Sequence, residues 1–236
     1  GTAYTWDVAS TVDVLLTFGE LQSVTDIAVL NGANVCVIGD EVLQFQSATL
    51  IGENQYRLSR LLRGRLGTEW AISSHVAGER FILLTNALAR ELVASSGWSI
   101  SKKYKPVTVG STLGATTAQD FTYAAKALKP YSPAHIIGSR NAGGDLTIGW
   151  KRRTRINGDW RDAVDIPLSE ESERYEVEIM QGITLKRTIT GLISPTTIYT
   201  AAQQVTDFGS AQSSVSVRVY QLSAAVGRGN AGIATI

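Results

Sequence analysis

A single cysteine among 236 residues leaves no intrachain disulfide to form. Cys36 sits in the apolar run Val35-Cys36-Val37-Ile38, where a thiol behaves as a small buried hydrophobe rather than a nucleophile. Folding in a reducing compartment is open to such a chain, and so is secretion without disulfides. The only histidines are His75 and His135, and with one cysteine no zinc-ligand spacing can be written. No apolar run approaches the roughly 20 residues that a bilayer-spanning helix needs, and no signal peptide is visible. Charge of one sign is missing as well. The net charge is +1, with 11 basic and 11 acidic residues before Pro130 and 11 and 10 after it. That balance gives nucleic-acid binding no support. The chain begins at Gly1 rather than Met, which is read as a piece of a longer protein.

What is present is strand pattern, on 44% hydrophobic residues. After Ala134 the order is a Gly143-Gly144-Asp145 turn, a strand ending in Trp150, alternating Glu173–Ile179, and alternating Val215–Leu222 running to Gly227. Strict period-2 alternation sends one set of side chains into a core and the other into water. Pro167 and Pro195 fall between these strands, where proline is tolerated. The arrangement resembles a fibronectin type III domain, a module that presents, spaces or binds.

The first half also reads as β. Strands are expected at 12–16, 33–38, 41–50, 56–62, 98–104 and 119–125, with a bulge where Val42, Phe45 and Ala48 break alternation. Asn31-Gly32 and Gly39-Asp40 are turn signals. The run Arg80–Leu84 reads as a strand buried on both faces. Residues 86–93 are ambiguous: Asn86 is a candidate helix cap and Leu88 and Leu92 are four apart, so a short helix and a loop both fit. Pro130 and Pro133 mark a boundary between domains 1–130 and 131–236.

The sharpest motif is Arg63-Gly64-Arg65-Leu66-Gly67-Thr68-Glu69. Gly64 and Gly67 are expected at positive φ, with Arg63 and Arg65 projecting from the turn. A phosphate loop lacks its Gly-Lys-Ser/Thr spacing and following helix, so a turn braced by arginine hydrogen bonds is the better reading. Glu41-Val42-Leu43-Gln44-Phe45, Tyr56-Arg57-Leu58, this arginine–glycine element and His75-x-x-Gly78-Glu79 together resemble siphophage tail-tip proteins. The match is nearest to the baseplate hub protein of gene transfer agents. The stretch Leu128–His135 and the ending Val217–Gly229 fit the same resemblance, which covers nearly the whole chain. It implies the C-terminal part of a longer virion protein at the tail tip, assembled in the host cytoplasm. It also implies a homo-oligomer, a trimer, among other tail and baseplate proteins, in contact with a host surface glycan. It carries no catalytic residues, cofactor or metal onto this chain.

The residues themselves give no catalytic set. His75 follows Ser73-Ser74, but adjacency is not a triad, and a turn histidine bonded to the 67–78 loop is the expectation. Glu170, Glu171 and Glu173 read as a solvated acidic loop rather than paired glycosidase carboxylates. Asp159, Asp162 and Asp165 lack the calcium-loop spacing. The charge run Lys151-Arg152-Arg153-Thr154-Arg155, continued as a strand, puts Arg152 on one face and Lys151, Arg153 and Arg155 on the other. Either those cations grip an anion, or Glu173, Glu176 and Glu178 neutralise them from a neighbouring strand. Trp160 beside Arg161 either stacks on sugar or covers the sandwich edge. Lys151, Arg153, Arg155 and Trp160 are therefore the candidate surface-binding residues. The expectation is an all-β chain, an N-terminal barrel or sandwich of about eight strands followed by a fibronectin type III-like sandwich. Its expected role is structural. The rival reading is a carbohydrate-binding accessory region of a bacterial surface protein.

Overall fold

The computed structural model describes residues 3–158 and 165–236, so Trp160, Asp159 and Asp162 lie outside the described residues. The fold is all-β, as the alternation predicts. Among the described residues no helix is long and apolar enough to cross a membrane.

The first module runs β1 (Asp7–Leu15), α1 (Asp26–Leu30), β2 (Val35–Ile38), β3 (Glu41–Gly52), β4 (Gln55–Arg65) and β5 (Phe81–Leu83). They form one curved antiparallel sheet in the order β1-β4-β3-β2-β5. Its long hairpin, β3 with β4, turns at Glu53-Asn54, and Asn54 takes φ 54°, a left-handed position that asparagine tolerates. The predicted bulge is there, as a register shift between Val42 and Gln44. The concave face buries Cys36, Leu43, Phe45, Leu58 and Leu61 completely. Burial pushes the Cys36 thiol up to about 12, so no thiolate forms near neutrality.

Two expectations fail here and one open reading resolves to a loop, all for one reason, a lack of neighbouring surface. Residues 81–83 form an edge strand bonded only to β2 and are half-buried, not buried on both faces. Residues 86–93 are not helical: Leu92 is 95% exposed, and a single turn closed by Leu88 N–H on Thr85 O ends without propagating. A helix this short forms only where tertiary burial supports it. The strand expected at 98–104 shrinks to β6 (Ser101–Tyr104), which pairs solely with β7 (Gln119–Thr122) in a two-stranded sheet exposed on both faces.

The second module contains β8 (Ala134–Arg140), β9 (Leu146–Lys151), β10 (Tyr175–Gln181), β11 (Thr184–Leu192), β12 (Thr196–Tyr199), α2 (Ala201–Phe208), β13 (Ser216–Ser223), β14 (Gly227–Arg228) and β15 (Gly232–Thr235). One sheet has the order β12-β9-β8, the other β11-β10-β13-β14, with β15 also on β13. Between them lie Ile148, Tyr175, Val177, Ile179, Val217 and Val219, all fully buried. Trp150 is in this core, its ring edge-on to Tyr175 at 5.1 Å. The helix α2 is an element the alternation does not announce. Thr200 caps it in a reciprocal box with Gln203, and Gly209 closes it at φ 83°. Its Asp207 holds Arg187 and accepts the Tyr199 hydroxyl, which ties α2 to β11 and β12.

Candidate functional site

The first feature with its own chemistry is a buried charge cluster at the mouth of the curved sheet. Glu41 opens β3 with its side chain fully buried. Arg63, near the end of β4, donates from Nε and Nη2 to that carboxylate at 2.8 and 2.7 Å. Gly64 N–H adds a third donor at 2.7 Å, and Arg63 Nη1 lies 3.5 Å from Asp7 Oδ2 on β1. His75 completes the set, with Nε2 at 2.6 Å from Glu41 Oε2 and Nδ1 at 2.6 Å from Glu79 Oε2. A neutral imidazole has one N–H, so only the doubly protonated ring satisfies both carboxylates. Burial opposes that charge, but the hydrogen bonds to Glu79 and Glu41 outweigh it and hold the His75 pKa above its ordinary value. Burial likewise opposes ionisation of Glu41, and the Arg63, His75 and Gly64 donors overcome it, lowering its pKa.

Two expectations are corrected here. Arg63 does not project from the glycine turn; it is buried against Glu41, and Arg65 donates to Gln44 Oε1. His75 does not brace the 67–78 loop but joins two carboxylates. Sequence reading missed Glu41, because a carboxylate at the head of an apolar strand looks like a surface residue until its partner is found 22 positions away. With both ring nitrogens engaged, His75 has no free lone pair for general-base work.

The arginine–glycine element leads from this cluster to the second module. Gly64 and Gly67 take φ 61° and 80°, as expected. A Cβ on Gly64 would stand 2.8 Å from Glu69 Cα, and one on Gly67 would overlap the Tyr131 ring. Thr68 Oγ1 accepts from Val42 N–H and donates to Arg65 O. Asn230 Nδ2 donates to Gly67 O, and its N–H to Pro130 O. Glu69 accepts from Arg153 at 2.6 Å, and the Arg153 guanidinium lies over the rings of Tyr4 and Tyr131 at 5.5 and 5.2 Å. The stretch around Pro130–Pro133 is thus packed between the modules.

The charge run is not one cationic face. The strand ends at Lys151, so alternation stops there and each arginine turns to its own acid. Arg152 meets Asp165 and Glu173, Arg153 meets Glu69, and Arg155 meets Glu170. Glu176 and Glu178 serve Arg228 instead. Glu170 is buried against Arg155 rather than solvated. Of the candidate cations Lys151 alone is exposed without an ion-pair partner among the described residues; Trp160 lies outside them. No group of three or more potential metal ligands converges among the described residues.

The model of the family Rcc01698-like, C-terminal, matches residues 1–82. That span ends in β5 and takes in the Glu41–Arg63–His75 cluster and the glycine element, but none of the second module. The name is of a gene-transfer-agent and phage-like family. No curated protein matches the sequence. Among solved structures, domains d3–d4 of the rat CD45 extracellular region are similar over 69% of this chain and 76% of that one, at 16% identity and a TM-score of 0.34.

Proposed function

We propose that this chain is a structural part of a phage-like tail tip or baseplate hub, acting as a folded spacer and contact element rather than as an enzyme. The observation that carries the reading is the family match over residues 1–82, which falls on the segment whose Arg63-Gly64…Gly67-Thr68 element resembles tail-tip proteins. Two features support a mechanical role. The charges of the buried cluster in the first module are spent on one another, with His75 saturated by two carboxylates. The glycine element meets the second module through Tyr131 and Arg153, so the two modules are in direct contact there. We further read the second module as fibronectin type III-like. Support comes from its three strands β12-β9-β8 facing β11-β10-β13 with β14 and β15, and from Trp150 in its second strand. On this reading the chain takes no cofactor, its partners are other tail and baseplate proteins and two further copies of itself, and its place is the virion tail tip.

The test is imaging of intact particles from a producing cell with this chain labelled. Label at the distal end of tails in threefold copies is expected. Label on capsids, or a product with no particle at all, overturns the reading.

A further inference from the structure

Where the two modules meet, a cleft of about 800 Å³ opens between Trp70 and Ser73 on one side and Ala231–Ile233 on the other. Its floor is the chain entering β8. A second hollow of about 610 Å³ shares Tyr4, Ala134 and His135 with it and runs on past Lys151. The two make one trough across the junction.

Three kinds of group line it. Tyr4 and Trp70 are 76% and 44% exposed and belong to neither core. Each is steadied by a cation over its ring, Arg153 on Tyr4 and Lys126 on Trp70, and each turns remaining surface to the trough. Ser73 and His135 are exposed polar groups on its walls, and one oxygen of Glu69, Oε2, is buried beneath the wall with no hydrogen-bond partner among the described residues. Lys151 is exposed with no ion-pair partner among the described residues, whereas Arg153 beside it is paired with Glu69 and Arg152 faces both Asp165 and Glu173.

We propose that this trough binds a saccharide chain bearing an anionic group, a carboxylate or a phosphate. A pyranose has an apolar C–H face and a rim of hydroxyls. The first fits the ring surfaces of Tyr4 and Trp70, the second fits Ser73 and His135, and an acidic substituent meets Lys151 in a charge-assisted hydrogen bond. A purely apolar ligand leaves Lys151 and His135 unmatched, and a nucleic acid requires more cations than the one without an ion-pair partner among the described lining residues. The inference does not rest on the tail reading: particle imaging tests location, and binding tests this chemistry.

The experiment is calorimetric titration of the whole chain with three probes: oligoglucuronate, the phosphorylated core oligosaccharide of a lipopolysaccharide, and neutral maltohexaose. Saturable binding to at least one charged probe is expected, and which one binds tells carboxylate from phosphate recognition. Tyr4→Ala with Trp70→Ala abolishes that binding, and Lys151→Gln weakens it about tenfold, as expected for loss of one charge-assisted contact. Thermal melting of each variant checks that it remains folded, and Lys151→Gln, at an exposed residue with no ion-pair partner among the described residues, tests the charge apart from the ring contacts. Absence of saturable binding to both charged probes overturns the proposal. So does binding that survives the paired aromatic substitution, or maltohexaose binding as tight as that of the charged probes.

Discussion

His75 shows how one side chain makes stability depend on pH. It is held doubly protonated between Glu41 and Glu79, with its pKa above the ordinary 6.5. The folded state therefore keeps a proton that the unfolded chain releases. The resulting stabilisation is complete below about 6.5 and is lost as pH rises through the elevated value. Glu41 acts at the other end, since its lowered pKa gives stability that is present above the ordinary 4.5 and disappears as pH falls through the depressed value. Urea melts of the wild type from about pH 5 to about pH 9 should show a decline on the alkaline side, and His75→Gln should flatten it. A variant that keeps the same alkaline slope would remove His75 from this role. None of this was readable from position alone. The string His75-x-x-Gly78-Glu79 points to a local pair, but His75 and Glu79 lie in a loop and Glu41 comes from β3, 34 residues away.

At the scale of elements, the alternating strands were the legible part. The segments 175–181 and 216–223 form where period-2 pattern places them, because a face of Val, Ile and Tyr can be buried in only one register. The helix α2 was marked by Thr200-x-x-Gln203, a capping signature that strand reading passed over. The charge run misled because alternation was continued past Lys151, where the ladder to β8 and β12 stops. The glycine element makes the most specific demand. Gly67 needs both its positive φ and the absence of a side chain under Tyr131. Gly67→Ala should cost about 1–3 kcal/mol from backbone strain, plus the overlap. Tyr131→Ala in the same chain should recover the overlap but not the strain, so the two changes should couple in a double-mutant cycle of denaturant midpoints. Strict additivity would mean that the ring moves aside freely.

For the whole molecule, the two hydrophobic clusters share no residue, and each is closed by its own sheets. Residues 131–236, expressed alone, should therefore melt in one cooperative transition, a normal outcome for a domain of this size. A fragment showing no transition would place essential packing across the junction. The contacts across the junction were invisible in the sequence. Pattern reports local periodicity, whereas Arg153 finds Glu69 84 residues away and Asn230 finds Gly67 across 163.

The hairpin of β6 and β7 adds a mechanical consequence. Its strands bond only to each other, and Val109 and Leu113 near its tip stand in water. Two strands alone are marginally stable, so this arm should open and close many times while both cores stay shut. A protease added sparingly should cut the stretch 105–117 first and leave two polypeptides that travel as one folded body, because Lys126 on Asp40 and Ala125 in its buried seat hold the returning chain to the first module. The arm is thus a place where this protein can be severed, lengthened or labelled without loosening the two cores on either side.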